Sequence, residues 1–181
     1  MSINLKEILN TTRELEGTDA VPANYVDNMF AQRVHGEKAK GSIYENLTAE
    51  QLEELACAAN WTEEYNENVL NFCRSYTTMD IPGGLYGIVQ LVNLPDDAKL
   101  VIKDNKNTGY ASLCVEGGMR VPAAKTWLII GPSGTGVDVV YTMYPGEPTP
   151  KATTPTSELP VGKRLTKAEA IALGFNSANV L

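Results

Sequence analysis

Histidine is nearly missing from this chain. His35 is the one imidazole in 181 residues, so acid–base chemistry near neutral pH has a single side chain of the right intrinsic pKa to use. Cysteine is scarce too. Cys57, Cys73 and Cys114 are odd in number and contain no C-x-x-C pair, which argues against a disulfide framework and against a thiolate zinc site. With one histidine and no thiol pair, only carboxylates remain as metal ligands, and Asp96 and Asp97 in "PDDAK" read as a turn. Positive charge is in deficit. The formal net charge is −7 and the isoelectric point about 4.8, against the basic surface that non-specific nucleic-acid binding needs. No apolar run reaches the roughly 18 residues of a membrane span. The opening "MSINLKEILNTTRELEG" lacks the continuous apolar core of a signal peptide. The expectation is a cytoplasmic protein with reduced, mostly buried thiols. No GxxxxGK[ST] loop and no GxSxG elbow is present, so a P-loop and an esterase elbow are both excluded. Nothing calls for a cofactor.

What is present reads as one α+β domain over residues 1–181, with a mostly helical part at 1–78, a β-meander at 84–146, and a connector with a short terminal helix at 147–181. In "INLKEILNTTREL", Ile3, Leu5, Ile8, Leu9 and Leu15 fall on one side of a helix stopped by Gly17. "PANYVDNMFAQRVHG" places Tyr25, Val26, Met29, Phe30 and Val34 at spacings of three and four, with Gly36 as its end. Thr48 and Gln51 form a capping box before Leu52, Leu55 and Ala56. Thr62 reads as the N-cap of a fourth helix, with Tyr65, Val69, Phe72 and Cys73 on its apolar face.

After "MDIPGG" the period changes. "LYGIVQLVN", "AKLVIKD", "YASLCVE", "KTWLIIG" and "VDVVYTMY" are five β-rich runs separated by Gly-, Asn- and Pro-rich turns. The links leave no room for crossover helices, so a mostly antiparallel five-stranded sheet with the helical layer packed on it is expected. "GEPTPKATTPTSELPVG" reads as an extended connector. It leads to "LTKAEAIALGF", a second capping box at Thr166 and Glu169 before a short helix that stops at Gly174.

Two places offer chemistry. His35 sits in "QRVHGEKAKG" at the expected end of the second helix, beside Arg33, Lys38 and Lys40. A histidine there caps a helix C-terminus, or acts as a general base with cations that hold a phosphate or an oxyanion. The last strand alternates Val139, Tyr141 and Met143 with Val140, Thr142 and Tyr144, so the Thr142 and Tyr144 hydroxyls share a face. Both residue types are also ordinary strand formers. A thiol nucleophile at Cys73, activated by Arg74, is the weaker alternative to a small apolar core role.

A helical first half followed by a meander ending in "VVYTMYP" resembles the ribonuclease-toxin superfamily that includes barnase, EndoU and RelE-like folds. The match covers residues 109–148. It implies metal-independent RNA cleavage through the 2′-OH, with Thr142 and Tyr144 at last-strand positions and His35 or Lys38 as basic members. The chain departs from that pattern in its acidity, in its single histidine, and in having no histidine in the sheet. The first 80 or so residues, through "FAQRVHGEKAKGSIYENLTAEQLEEL" and "NFCRSY", are similar to a family of small proteins of unknown function, which implies no activity. Two readings follow. One is a binding or interaction domain, whose partner is a protein or a second copy of the chain. The alternative is a ribonuclease-like phosphodiesterase built from Arg33, His35, Lys38, Thr142 and Tyr144, with RNA as partner.

Overall fold

The structure is a computed structural model that describes residues 3–34, 42–66, 69–86, 96–105, 110–115, 121–146 and 161–173. Three helices lie in the first third: α1 (Leu5–Glu14), α2 (Tyr25–Gln32) and α3 (Ala49–Ala58). Each start has a local cause. The Asn4 side chain accepts the Glu7 N–H at 3.2 Å, and Thr48 and Gln51 close a reciprocal capping box. Asn24, in the left-handed conformation at φ 57°, turns the chain into α2. The Thr166–Glu169 capping box likewise opens α4 (Lys167–Ala172).

Where a fourth N-terminal helix is expected, the described residues form two short strands with turns between them. Thr62 starts β2 (Thr62–Glu63) and pairs with Thr77 of β3 (Arg74–Thr78). The supposed apolar face is not buried: Tyr65 is 84% and Phe72 56% exposed. The run Ser-Tyr-Thr-Thr in β3 favours a pleated surface, and pairing with a neighbouring strand outweighs a helix whose face would have had nothing to cover it.

Among the described residues the strands form three antiparallel sheets, not one five-stranded sheet. The main sheet has order β2-β3-β8-β9, with β8 (Thr126–Pro132) and β9 (Asp138–Pro145) joined as a hairpin through "SGTG". Gly136, at φ 85°, donates its N–H to the Ser133 carbonyl at 2.9 Å and makes the turn possible. A second sheet joins β1 (Ile43–Tyr44), β4 (Gly84–Tyr86) and β7 (Val121–Pro122). A third joins β10 (Arg164–Leu165), β5 (Leu100–Asn105) and β6 (Tyr110–Val115). The meander therefore breaks: β3 pairs directly with β8, and β4 to β7 are inserted between them. The connector at 147–160 and the stop at Gly174 lie outside the described residues.

The core lies between the helices and one face of the main sheet. Leu5, Leu9, Val26, Phe30, Leu52 and Ala56 meet Tyr76, Leu128, Ile130, Val140 and Met143. Each large aliphatic side chain buried there contributes about 1.5–3 kcal/mol. A bulge at Tyr141 brings Val140 and Met143, three residues apart, onto this face: Ile129 opposes Thr142, while Ile130 opposes Val140. Strict alternation would have left Val140 on the same side as Thr142 and Tyr144, so this part of the sequence reading is corrected.

Among the described residues β9 is the edge strand of the main sheet, and two side chains cover its outer edge. The Val140 N–H is donated to Thr12 Oγ1 at 3.1 Å, and the Tyr25 hydroxyl donates to the Tyr141 carbonyl. Thr12 is fully buried and also donates to the Ile8 carbonyl at 2.7 Å. Together with the bulge, this occupies groups that a further strand would have to use.

Candidate functional site

Thr142 and Tyr144 lie on the face of β9 turned away from the helical core, opposite Ile129 and Trp127 of β8. α2 ends at Gln32 and Arg33 caps it, so the helix stops short of the expected Gly36. From that position Arg33 reaches the same strand. Its Nη1 donates to the Ser42 carbonyl at 3.1 Å, its Nη2 lies 3.5 Å from Thr142 Oγ1, and its guanidinium sits 5.9 Å from the centre of the Tyr144 ring. The Arg33 backbone carbonyl accepts the Tyr44 N–H at 2.7 Å, which anchors the segment to β1. Three of the five residues singled out in the sequence thus converge, Arg33 and Thr142 from positions 109 apart. The other two, His35 and Lys38, lie outside the described residues.

The sequence reading missed a further member. Asn66, 2% exposed, donates its side-chain N–H to the Tyr144 hydroxyl at 2.9 Å. Expecting a helix over this stretch hid it. The signal available was composition, since "EYNEN" is rich in residues that favour turns and caps over helix interiors. Lys125 and Glu64 complete the surround. Lys125 Nζ pairs with Glu64 at 2.9 Å and stands 5.1 Å from the centre of the Trp127 ring, while the other Glu64 oxygen accepts the Thr77 hydroxyl at 2.9 Å.

Electrostatics separates these groups. The Lys125 hydrogen bond is the main cause that holds the Glu64 carboxyl below its usual range. Burial lowers the Arg33 guanidinium, opposed by the Tyr44 and Tyr144 phenols, and no carboxylate pairs with it among the described residues. Burial also raises the Tyr144 phenol, with Asn66 and Arg33 acting in the other direction. Tyr144 therefore stays a neutral hydroxyl at physiological pH and serves as a hydrogen-bonding group.

The thiols point the other way. Burial raises both Cys57 and Cys73, and Arg74, expected to activate Cys73, is paired with Asp138. That is unlike the electropositive setting of a reactive thiolate. Among the described residues no group of three or more His, Cys, Asp or Glu is arranged for a metal ion, and no helix is long and apolar enough to cross a membrane.

Two cavities of about 590 and 650 Å³ lie among α1, α2 and α3, the first over Phe30, Val34 and Leu47, the second over Leu9, Arg13 and Cys57. Neither is lined by Arg33, Thr142 or Tyr144. What distinguishes the β9 cluster is chemistry: a half-buried cation and hydroxyls held on a rigid sheet. No family model, no curated protein and no solved structure matches the chain.

Proposed function

We propose that this chain is a binding domain, and that its ligand is received where the end of α2 meets the outer face of β9, at Arg33, Thr142, Tyr144 and Asn66. The observation that carries the reading is the convergence of these polar side chains, from three remote segments, on the last strand of the main sheet. Polar groups fixed on a rigid element are the ordinary basis of ligand orientation. The test is a small-molecule library screened by amide chemical shifts on the full chain. Hits that move the Thr142 and Tyr144 amides, and that are lost in Thr142→Val and Tyr144→Phe, support the site. Hits that map only to the helical cavities overturn it.

A second reading rests on one specific observation: Tyr144, a hydroxyl at a last-strand position that the ribonuclease-like resemblance implies, stands beside a cation, Arg33, at the end of α2. In this reading Arg33 neutralises a scissile phosphate and His35 moves the proton. RNA incubated with the protein and EDTA tests it. Cleavage that persists in EDTA and disappears in His35→Ala supports it; no cleavage, or cleavage equal in the variant, removes it.

A further inference from the structure

The hydrogen-bonding groups around Arg33 are unequal in kind. Of the five N–H groups of its guanidinium, one goes to the Ser42 carbonyl and one makes the 3.5 Å approach to Thr142. Thr142 accepts in that contact, and its own hydroxyl hydrogen has no acceptor among the described residues. Tyr144 accepts from Asn66, and its hydroxyl hydrogen likewise has none. Directly opposite Tyr144 on the same face is Trp127, whose side chain is fully buried and whose indole Nε1–H has no partner among the described residues. A buried donor left without an acceptor is destabilising, and a desolvated cation without a counter-ion is more so.

The second cation on this face shows the contrast. Lys125 is neutralised by Glu64 at 2.9 Å. Arg13, Arg74 and Lys125 each have a carboxylate within 4 Å, whereas Arg33 has none among the described residues. Among the described residues the face thus carries one positive charge without a counter-ion and an excess of donors, and a ligand complementary to them is negative and rich in acceptors.

We infer that the ligand of the Arg33 site carries an oxyanion, most simply a phosphate group, which takes the free guanidinium edge together with the Thr142 and Tyr144 hydroxyls. A phosphate presents several acceptor oxygens in a tetrahedral arrangement and pairs with arginine in bidentate fashion. A carboxylate shares the charge but presents its acceptors in one plane. The inference rests on the binding site proposed above and adds the chemical class of its ligand.

The two indoles make the test direct, because the chain has two tryptophans. Trp61 Nε1 donates to the Ala56 carbonyl at 2.9 Å and serves as the internal reference. Inorganic phosphate, and separately acetate, is titrated into the ¹⁵N-labelled full chain at constant ionic strength, with sodium chloride as control. Phosphate is expected to shift the Trp127 indole resonance saturably and to leave that of Trp61 in place. Arg33→Met should weaken the effect at least about tenfold, as the loss of a charged hydrogen bond predicts, while the Trp61 resonance shows that the fold persists. Arg33→Lys, which keeps the charge and loses the fork, should fall between them.

Saturation by acetate more tightly than by phosphate keeps the oxyanion and assigns it as a carboxylate. No saturable shift with either anion, a shift equal to that of chloride, or the same affinity in the Arg33 variants overturns the inference. If uncharged library compounds move the Thr142 and Tyr144 amides while no oxyanion does, the binding site stands and the oxyanion assignment falls.

Discussion

On one face of the main sheet, Leu128, Ile130, Val140 and Met143 meet three helices, and the arginine of those helices, Arg13, is held by Glu53 and by Asp27 at 3.0 Å. On the other face, Trp127, Thr142 and Tyr144 meet Asn66, Lys125 and Arg33, and Arg33 has no carboxylate among the described residues. The two arginines respond in opposite directions. The hydrogen bond to Glu53 is the main influence raising Arg13, whereas burial lowers Arg33. Apolar contact and satisfied charge make the first face a means of stability. The second keeps a cation half-buried without compensation, which a fold does not need for itself. On the proposed binding function, stability and recognition are divided between two faces of one sheet.

The division can be broken or sharpened by mutation. The largest effect is expected at Met143, fully buried on the helical face. Met143→Ala should cost about 2–5 kcal/mol in chemical denaturation, whereas Thr142→Val, its neighbour on the opposite face, should cost under about 1 kcal/mol. Equal losses would mean that the two faces do not differ in role. Next is Thr12→Val, which removes the acceptor of the Val140 N–H and keeps the shape. It should destabilise by about 1–3 kcal/mol and speed hydrogen exchange at Val140.

Alkaline pH probes the second face and the adjoining β1. Burial raises the phenols of Tyr44 and Tyr144 above the ordinary value of 10.0. The fold therefore favours the neutral phenol, and this contribution is complete below about pH 10 and is lost as pH rises through the folded-state pKa. Melting temperature should be level below that pH and fall above it, with a shallower fall in Tyr144→Phe. A fall that Tyr144→Phe leaves unchanged would assign the alkaline loss to other groups.

The smallest effects decide most about the comparison, because they differ in sign. Arg13→Met abandons Glu53 and Asp27 at a partly exposed pair and should destabilise by about 1 kcal/mol or less, less still at high salt. Arg33→Met removes an uncompensated charge and should leave the melting temperature unchanged or raise it. A loss at Arg33 larger than that at Arg13 would make Arg33 a structural residue.

Much of this was legible in residue order. The faces of α1, α2 and α3, the two capping boxes and the "GPSGTG" hairpin depend on contacts within a few residues, and they stand where the spacing puts them. The shared face of Thr142 and Tyr144 follows from period two. The stretch from Thr62 to Thr78 was misread because its apolar residues recur at helical spacing, while pairing with β8 decides its state. The bulge at Tyr141 carries no signal in composition. Asn66 enters the site only because that stretch is not a helix.

Local physics, read from the sequence alone, determined where α3 and α4 begin, and that an α+β arrangement of antiparallel strands follows the helices. Only the tertiary structure decided that, among the described residues, the strands divide into three sheets, that Val140 and Met143 share the core, and that Arg33 meets Thr142 and Tyr144 with no carboxylate beside it. The reason is the range of the interactions. Capping and periodicity are settled within one turn or one strand, whereas strand partners and the neighbours of a buried charge are settled by segments 100 or so residues away.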